Sequence, residues 1–136
     1  MSKILGIDYG KKRTGIAITD SLKIFSLSLD TIPSTKLMIF LEKIIFKEKI
    51  DEIVIGLPKK FNNKNFPIEK EIKNLIFKIH KNYPKLIIKR IDERFTTKIA
   101  LRSLIELKLK KRKNKNIINK ISATIILQSY LQNKKK

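Results

Sequence analysis

Apolar positions along the chain follow two rhythms, a period of two in short runs and a period near 3.6 in longer ones. Residues 3–8 and 14–19 read as two strands joined by a turn between Gly10 and Gly15. Ile24 to Ile32 reads as a third strand, with Phe25, Leu27 and Leu29 alternating against Ser26, Ser28 and Asp30. Pro33 stops it, and Ser34 or Thr35 is placed to cap a helix whose apolar face is Leu37, Leu41, Ile44 and Ile45. The β-branched run from Asp51 to Leu57, closed by Pro58, has the length of a buried parallel strand. Lys59 to Asn65 is a polar, Asn-rich loop.

From Glu69 to Lys81, Ile72, Leu75, Ile76 and Ile79 keep helical spacing, with Glu69 and Glu71 in the first turn where the helix dipole favours acids. Leu86 to Ile91 is a fifth strand that leads into Asp92-Glu93-Arg94. Thr96 or Thr97 then caps a helix carrying Ile99, Leu101, Leu104, Ile105 and Leu107. A charged linker covers 108–116, and a last helix runs from Ile117 to Leu131. The order predicts an α/β fold with a mixed five-stranded sheet flanked by helices. Three leading strands on short turns are antiparallel, and two later strands, each reached through a helical crossover, are parallel. One domain over residues 1–133 and a basic tail over 134–136 account for the chain.

Composition narrows the classes. The chain has no cysteine, which excludes disulfides and thiolate metal sites, and no run of the ~18 apolar residues that a membrane span needs. No basic-apolar-small signal segment opens it, so the cytoplasm is the expected location, away from membranes. The net charge of +20 suits a polyanionic partner. Lys, Ile and Asn together supply 62 of the 136 residues, however, and all three have A- and T-rich codons, so base composition accounts for part of that charge. A nucleic acid is the expected partner of a monomer or weak homodimer.

Two acids stand at the ends of buried-strand patterns, Asp8 and Glu93. Carboxylates so placed can hold Mg²⁺ or Mn²⁺ against a phosphodiester, while Lys11, Lys12, Arg13 and Arg94 can neutralise phosphate charge. Gly10 to Gly15 is no Walker A loop, because Ile16-Ala17 stands where Lys-Ser/Thr is required. His80 is the single histidine, lies in a helix between lysines, and is read as partly solvated.

Four stretches in order carry a resemblance: Gly6 to Ala17, Asp51 to Pro58, Asp92 to Thr97 and Ser122 to Tyr130. Over nearly its whole length the chain resembles the YqgF/RuvX family, whose members carry names of pre-16S rRNA nucleases and, earlier, of Holliday junction resolvases. The resemblance implies a ribonuclease H-like fold and a divalent-metal nuclease built on three acids, with water attack leaving a 3′-hydroxyl and a 5′-phosphate. Asp8 matches the first acid and Glu93 the second. The third is expected as an aspartate shortly before the Ser122-Ala123 pair, where this chain has Asn119.

Asparagine can ligate a cation through its carbonyl oxygen but brings no negative charge. Three consequences stay open: a damaged enzyme, slow cleavage with Asp8, Glu93 and Asn119 as ligands, or an RNA-binding or ribosome-binding role without useful catalysis. A branched-DNA resolvase would use the same residues in a two-fold dimer. An actin-like ATPase, whose phosphate loop Asp8-Tyr9-Gly10 also resembles, would need a second domain that 136 residues do not supply.

Overall fold

The computed structural model describes residues 2–57, 68–92 and 115–134, with the backbone alone for 115–119. The polar loop after Pro58, Glu93, Arg94, the helix expected over 99–107 and the first part of the basic linker lie outside the described residues.

Strands β1 (Lys3–Asp8), β2 (Arg13–Thr19) and β3 (Ser26–Pro33) form an antiparallel meander, followed by a 3₁₀ turn (Ser34–Lys36) and helix α1 (Leu37–Lys47). Then come β4 (Ile50–Leu57), α2 (Ile68–Asn82), β5 (Ile87–Asp92) and α3 (Lys115–Lys134). The sheet order is β3-β2-β1-β4-β5, with β1, β4 and β5 mutually parallel, as the strand pattern predicts. Among the described residues no helix is long and apolar enough to cross a membrane.

Alternation along the strands sorts the core onto two faces. Leu5, Ile7, Ile16, Ile53 and Ile55 pack with Leu37 and Leu41 of α1 and with Ile72 and Ile79 of α2. On the other face Ile4, Ala17 and Val54 pack under Ala123, Ile126 and Leu127 of α3. Close approach of α3 depends on Gly6: a Cβ there would stand 2.8 Å from Leu127 Cβ and 3.3 Å from the Ala123 carbonyl oxygen.

Three details differ from the sequence expectation. The alternating apolar side chains of the third strand stay out of the core, for Phe25 is 63 % and Leu27 54 % exposed, and Ile32 at the strand's end is the one that enters it. β3 is an edge strand, α1 packs nearest β4, and the helix lying over β3 is α3, on the strand's serine face. There the Ser26 amide donates to Gln128 Oε1 (3.0 Å) and the Ser26 hydroxyl to the Thr124 carbonyl (3.0 Å). Ser34 and Thr35 cap no helix, since neither the 3₁₀ turn nor α1 has a side-chain cap. Finally, α3 extends to Lys134, which the sequence places in the basic tail. The Lys134 ammonium lies 3.3 Å from Glu52 Oε1, and that charge-assisted bond favours the extra helical turn.

Candidate functional site

Parallel pairing brings the C-terminal ends of β1, β4 and β5 to one edge of the sheet. The register sets Ile7 beside Ile55 and Ile55 beside Arg90, so Asp8 at the end of β1 lies level with Ile91 of β5, two strand spacings or about 10 Å across. Half-buried Asp92 ends β5, and the chain runs on into Glu93 and Arg94, outside the described residues.

The direction of α3 follows from its contacts. Ala123 and Leu127 sit over Gly6, while Tyr130 and Lys134 reach Glu52 near the start of β4. The helix therefore enters from the Asp8 end of the sheet. Asn119 precedes Ala123 by one turn, about 6 Å of helix, which carries its backbone toward the end where Asp8 lies. Among the described residues no three His, Cys, Asp or Glu side chains form a metal-holding group.

The turn between β1 and β2 is held rigidly. A Cβ on Gly10 would come 2.2 Å from the Arg13 carbonyl oxygen, so only glycine fits there. Ser34 ties the turn down: its amide donates to the Lys12 carbonyl (2.9 Å) and its hydroxyl to the Gly10 carbonyl. With that one hydroxyl hydrogen spent, the 2.8 Å contact between Ser34 Oγ and buried Thr14 must be donated by Thr14. Lys11, Lys12 and Arg13 stand exposed on this frame. Because Asp8 pairs with Gly15 and side chains alternate, Arg13 shares the α3 face with Asp8. Tyr9 points to the opposite face, against the α1–α2 core, where burial and the nearby Glu71 carboxylate raise its phenol pKa above the ordinary value.

Two polar clamps hold the sheet, one at each end. Glu69 is 5 % exposed and takes Arg90 in a two-pronged ion pair, Nη2 to Oε1 at 2.8 Å and Nη1 to Oε2 at 3.0 Å. The same guanidinium donates to the carbonyls of Ile55 (3.2 Å) and Gly56 (2.9 Å), joining α2, β4 and β5 just below the acidic end. At the far end the Tyr130 hydroxyl donates to buried Glu52, and burial together with that carboxylate raises the phenol pKa. The sequence alone reads Glu69 as a dipole-favoured acid and Ser34 as a cap. A lone Arg within a strand pattern was the available signal for the first clamp, and nothing in the sequence indicates the second role of Ser34.

The RuvX family model, described as a Holliday junction resolvase, matches residues 2–133. The chain belongs to the RuvX family. It is 55 % identical over 137 aligned residues to a Karelsulcia muelleri protein named "Putative pre-16S rRNA nuclease", covering 97 % of this chain and 99 % of that one. A protein of the same name from Bacteroides thetaiotaomicron is 44 % identical, with 99 % of both chains covered. Among solved structures the chain is similar to Thermus RuvC, determined in complex with a Holliday junction substrate, with a TM-score of 0.63 at 10 % identity, covering 99 % of this chain and 96 % of that one. That likeness bears out the ribonuclease H-like fold, and the family makes this RuvX chain a nuclease-family protein.

Proposed function

We propose that this RuvX chain is a metal-dependent phosphodiester nuclease that processes the 5′ end of pre-16S rRNA. The observation that carries the reading is the convergence on one sheet edge of Asp8, the strand leading to Glu93 and the helix bearing Asn119, beside exposed Lys11 and Arg13. The names of the relatives support the substrate.

Asp8, Glu93 and Asn119 would hold Mg²⁺ or Mn²⁺, since two carboxylates and an amide carbonyl are the hard oxygen donors these ions take. A bound ion of this kind polarises the scissile phosphate and acidifies an attacking water. Asp8 and Glu93 supply the negative charge of the site, and Asn119 lends a neutral oxygen only, which weakens the donor set by one charge. Lys11, Arg13 and Arg94 bind the flanking phosphates, the two arginines each able to grip two oxygens. The framed turn at Gly10 keeps Lys11 and Arg13 from swinging away.

Asn119 favours a second reading, an RNA-binding protein with little catalysis. Single-turnover cleavage of a labelled pre-16S 5′ fragment in Mn²⁺ and Mg²⁺ separates the two, comparing the unaltered chain with Asp8→Asn and Asn119→Asp. Loss of cleavage in Asp8→Asn with a gain in Asn119→Asp supports the nuclease. Absence of cleavage by all three with RNA still bound refutes it in favour of the binding role, and a preference for branched DNA would redirect it to junction resolution.

A further inference from the structure

On the opposite face from Asp8, one residue along the chain, Tyr9 forms one wall of a cleft of about 280 Å³. Thr35 of the 3₁₀ turn and Glu71, Asn74 and Lys78 of α2 complete its polar rim, and buried Leu37 and Leu75 give it an apolar floor. The volume falls at the lower limit of small-ligand pockets, about 300–1,000 Å³, so it suits one planar ring system and not a whole nucleotide with its phosphates.

The lining argues against phosphate as the occupant. Glu71 presents a carboxylate, which offsets the Lys78 ammonium across the rim, repels phosphate oxygens and accepts hydrogen bonds from the amino group of a base. Asn74 offers both a donor and an acceptor, the combination that pairs with adenine's edge. The Ser34 hydroxyl, though it lines the cleft, is already committed to Gly10 and Thr14. Tyr9 supplies an aromatic wall of the sort on which unpaired bases stack.

We propose that this cleft is a base-binding subsite that takes one unpaired nucleobase bearing an exocyclic amine, adjacent to the phosphate handled at Asp8. The inference rests on the nuclease reading, because strand alternation puts the acid and Tyr9 on opposite faces of the same strand end. A nucleic-acid strand crossing that end can lay its phosphate on the α3 face and turn its base over the Gly10 turn. A base can enter only when it is out of a duplex stack, so the subsite selects single-stranded substrate.

The test is binding, measured by fluorescence anisotropy in EDTA to prevent cleavage. Labelled ten-nucleotide RNAs of alternating adenosine and cytidine carry one abasic residue at each position in turn. With the unaltered chain, one abasic position weakens binding about 5- to 100-fold, the range expected from losing one stacked base. In Tyr9→Leu and in Glu71→Gln/Asn74→Leu, whose altered side chains on α2 are exposed, that positional loss shrinks to within about 2-fold while the abasic RNA binds as before. RNA binding with no sensitive position, or with a loss that survives in both variants, overturns the subsite and leaves the nuclease reading intact. Failure of the unaltered chain to bind any of these RNAs overturns the subsite, while the nuclease reading stands or falls on cleavage of the pre-16S fragment in Mn²⁺ and Mg²⁺.

Discussion

The Arg90–Glu69 clamp gives the sharpest numerical test of what holds the acidic end together. Arg90 uses Nη1 and Nη2 on the carboxylate and Nε and Nη2 again on the carbonyls of Ile55 and Gly56. The side chains are 21 % and 7 % exposed, so the pair is largely removed from water. Taking away one partner of a buried pair costs about 3–5 kcal/mol, because the other charge is left without compensation. Partial water access to the guanidinium places Glu69→Ala at the lower end, about 3 kcal/mol. For a domain of this size each kcal/mol lowers Tm by roughly 3–5 °C, so the expected fall is on the order of 10 °C. Glu69→Gln keeps one acceptor oxygen but sets an NH₂ against the guanidinium, and loses about 2 kcal/mol.

Glu69→Leu with Arg90→Met removes both charges and fills the space with apolar groups. It is expected within about 1 kcal/mol of the unaltered chain, as buried pairs exchanged for hydrophobic residues often are. Urea melts of the unaltered chain, Glu69→Leu, Arg90→Met and the double variant, followed by circular dichroism at constant m-value, give the four corners of the cycle. A Glu69→Ala cost below about 1 kcal/mol, or single-variant costs that simply add in the double variant, would show that the clamp contributes nothing beyond an ordinary surface pair.

Two further predictions probe other supports. Gly6→Ala brings a Cβ to 2.8 Å from Leu127 Cβ, a contact that side chains do not tolerate, and is expected to destabilise by about 1–3 kcal/mol, with part of the loss recovered when Leu127→Ala is added; a loss unaffected by the second change would mean α3 does not rest on Gly6. Asp20 accepts the amides of Leu22 (3.2 Å), Ile24 (2.9 Å) and Phe25 (2.7 Å), and the Phe25 bond above all lowers its carboxyl pKa. Being depressed in the folded chain, that pKa makes a stabilising contribution to the hairpin that is present above pH ~4 and is lost as pH falls further. The amide proton shifts of Ile24 and Phe25 should accordingly titrate with a midpoint below the ordinary aspartate value, and a midpoint at or above it would refute the assignment.

The sheet was legible because its information is local. Ile4, Leu5 and Ile7 with the Gly10–Gly15 turn specify a strand and its reversal, and Ile53 to Ile55 flanked by Gly56 and Pro58 specify a buried strand, so the mixed topology followed from connection lengths alone. The serine face of β3 was not legible. Phe25-Ser26-Leu27-Ser28-Leu29 alternates like a half-buried strand, and which half is buried depends on where α3 lies, nearly a hundred residues away. Glu69 and Ser34 failed for the same reason. Each has a good local reading, cap or dipole partner, and each is claimed instead by a group distant in sequence, Arg90 or the Gly10 carbonyl. Of the candidate site, the sequence placed Asp8 at a strand end, which the fold bears out.

The same alternation that hides β3's orientation also separates the tasks of the site. Asp8 and Arg13 lie on the face under α3, whereas Tyr9 and the cleft lie on the face of α1 and α2. On the proposed reading, charge density on the first face governs phosphate contact and side-chain shape on the second governs which base can sit. Substitutions at 71, 74 or 78 can thus alter base preference without disturbing the acids, because no strand residue is shared between the two sets. Among the described residues the element common to both is the Gly10 turn with its Ser34 tie, which fixes the Lys11–Arg13 cations on one side and the wall of the cleft on the other. Loosening that tie by Ser34→Ala should therefore weaken phosphate contact and base discrimination together, because the two faces move as a unit.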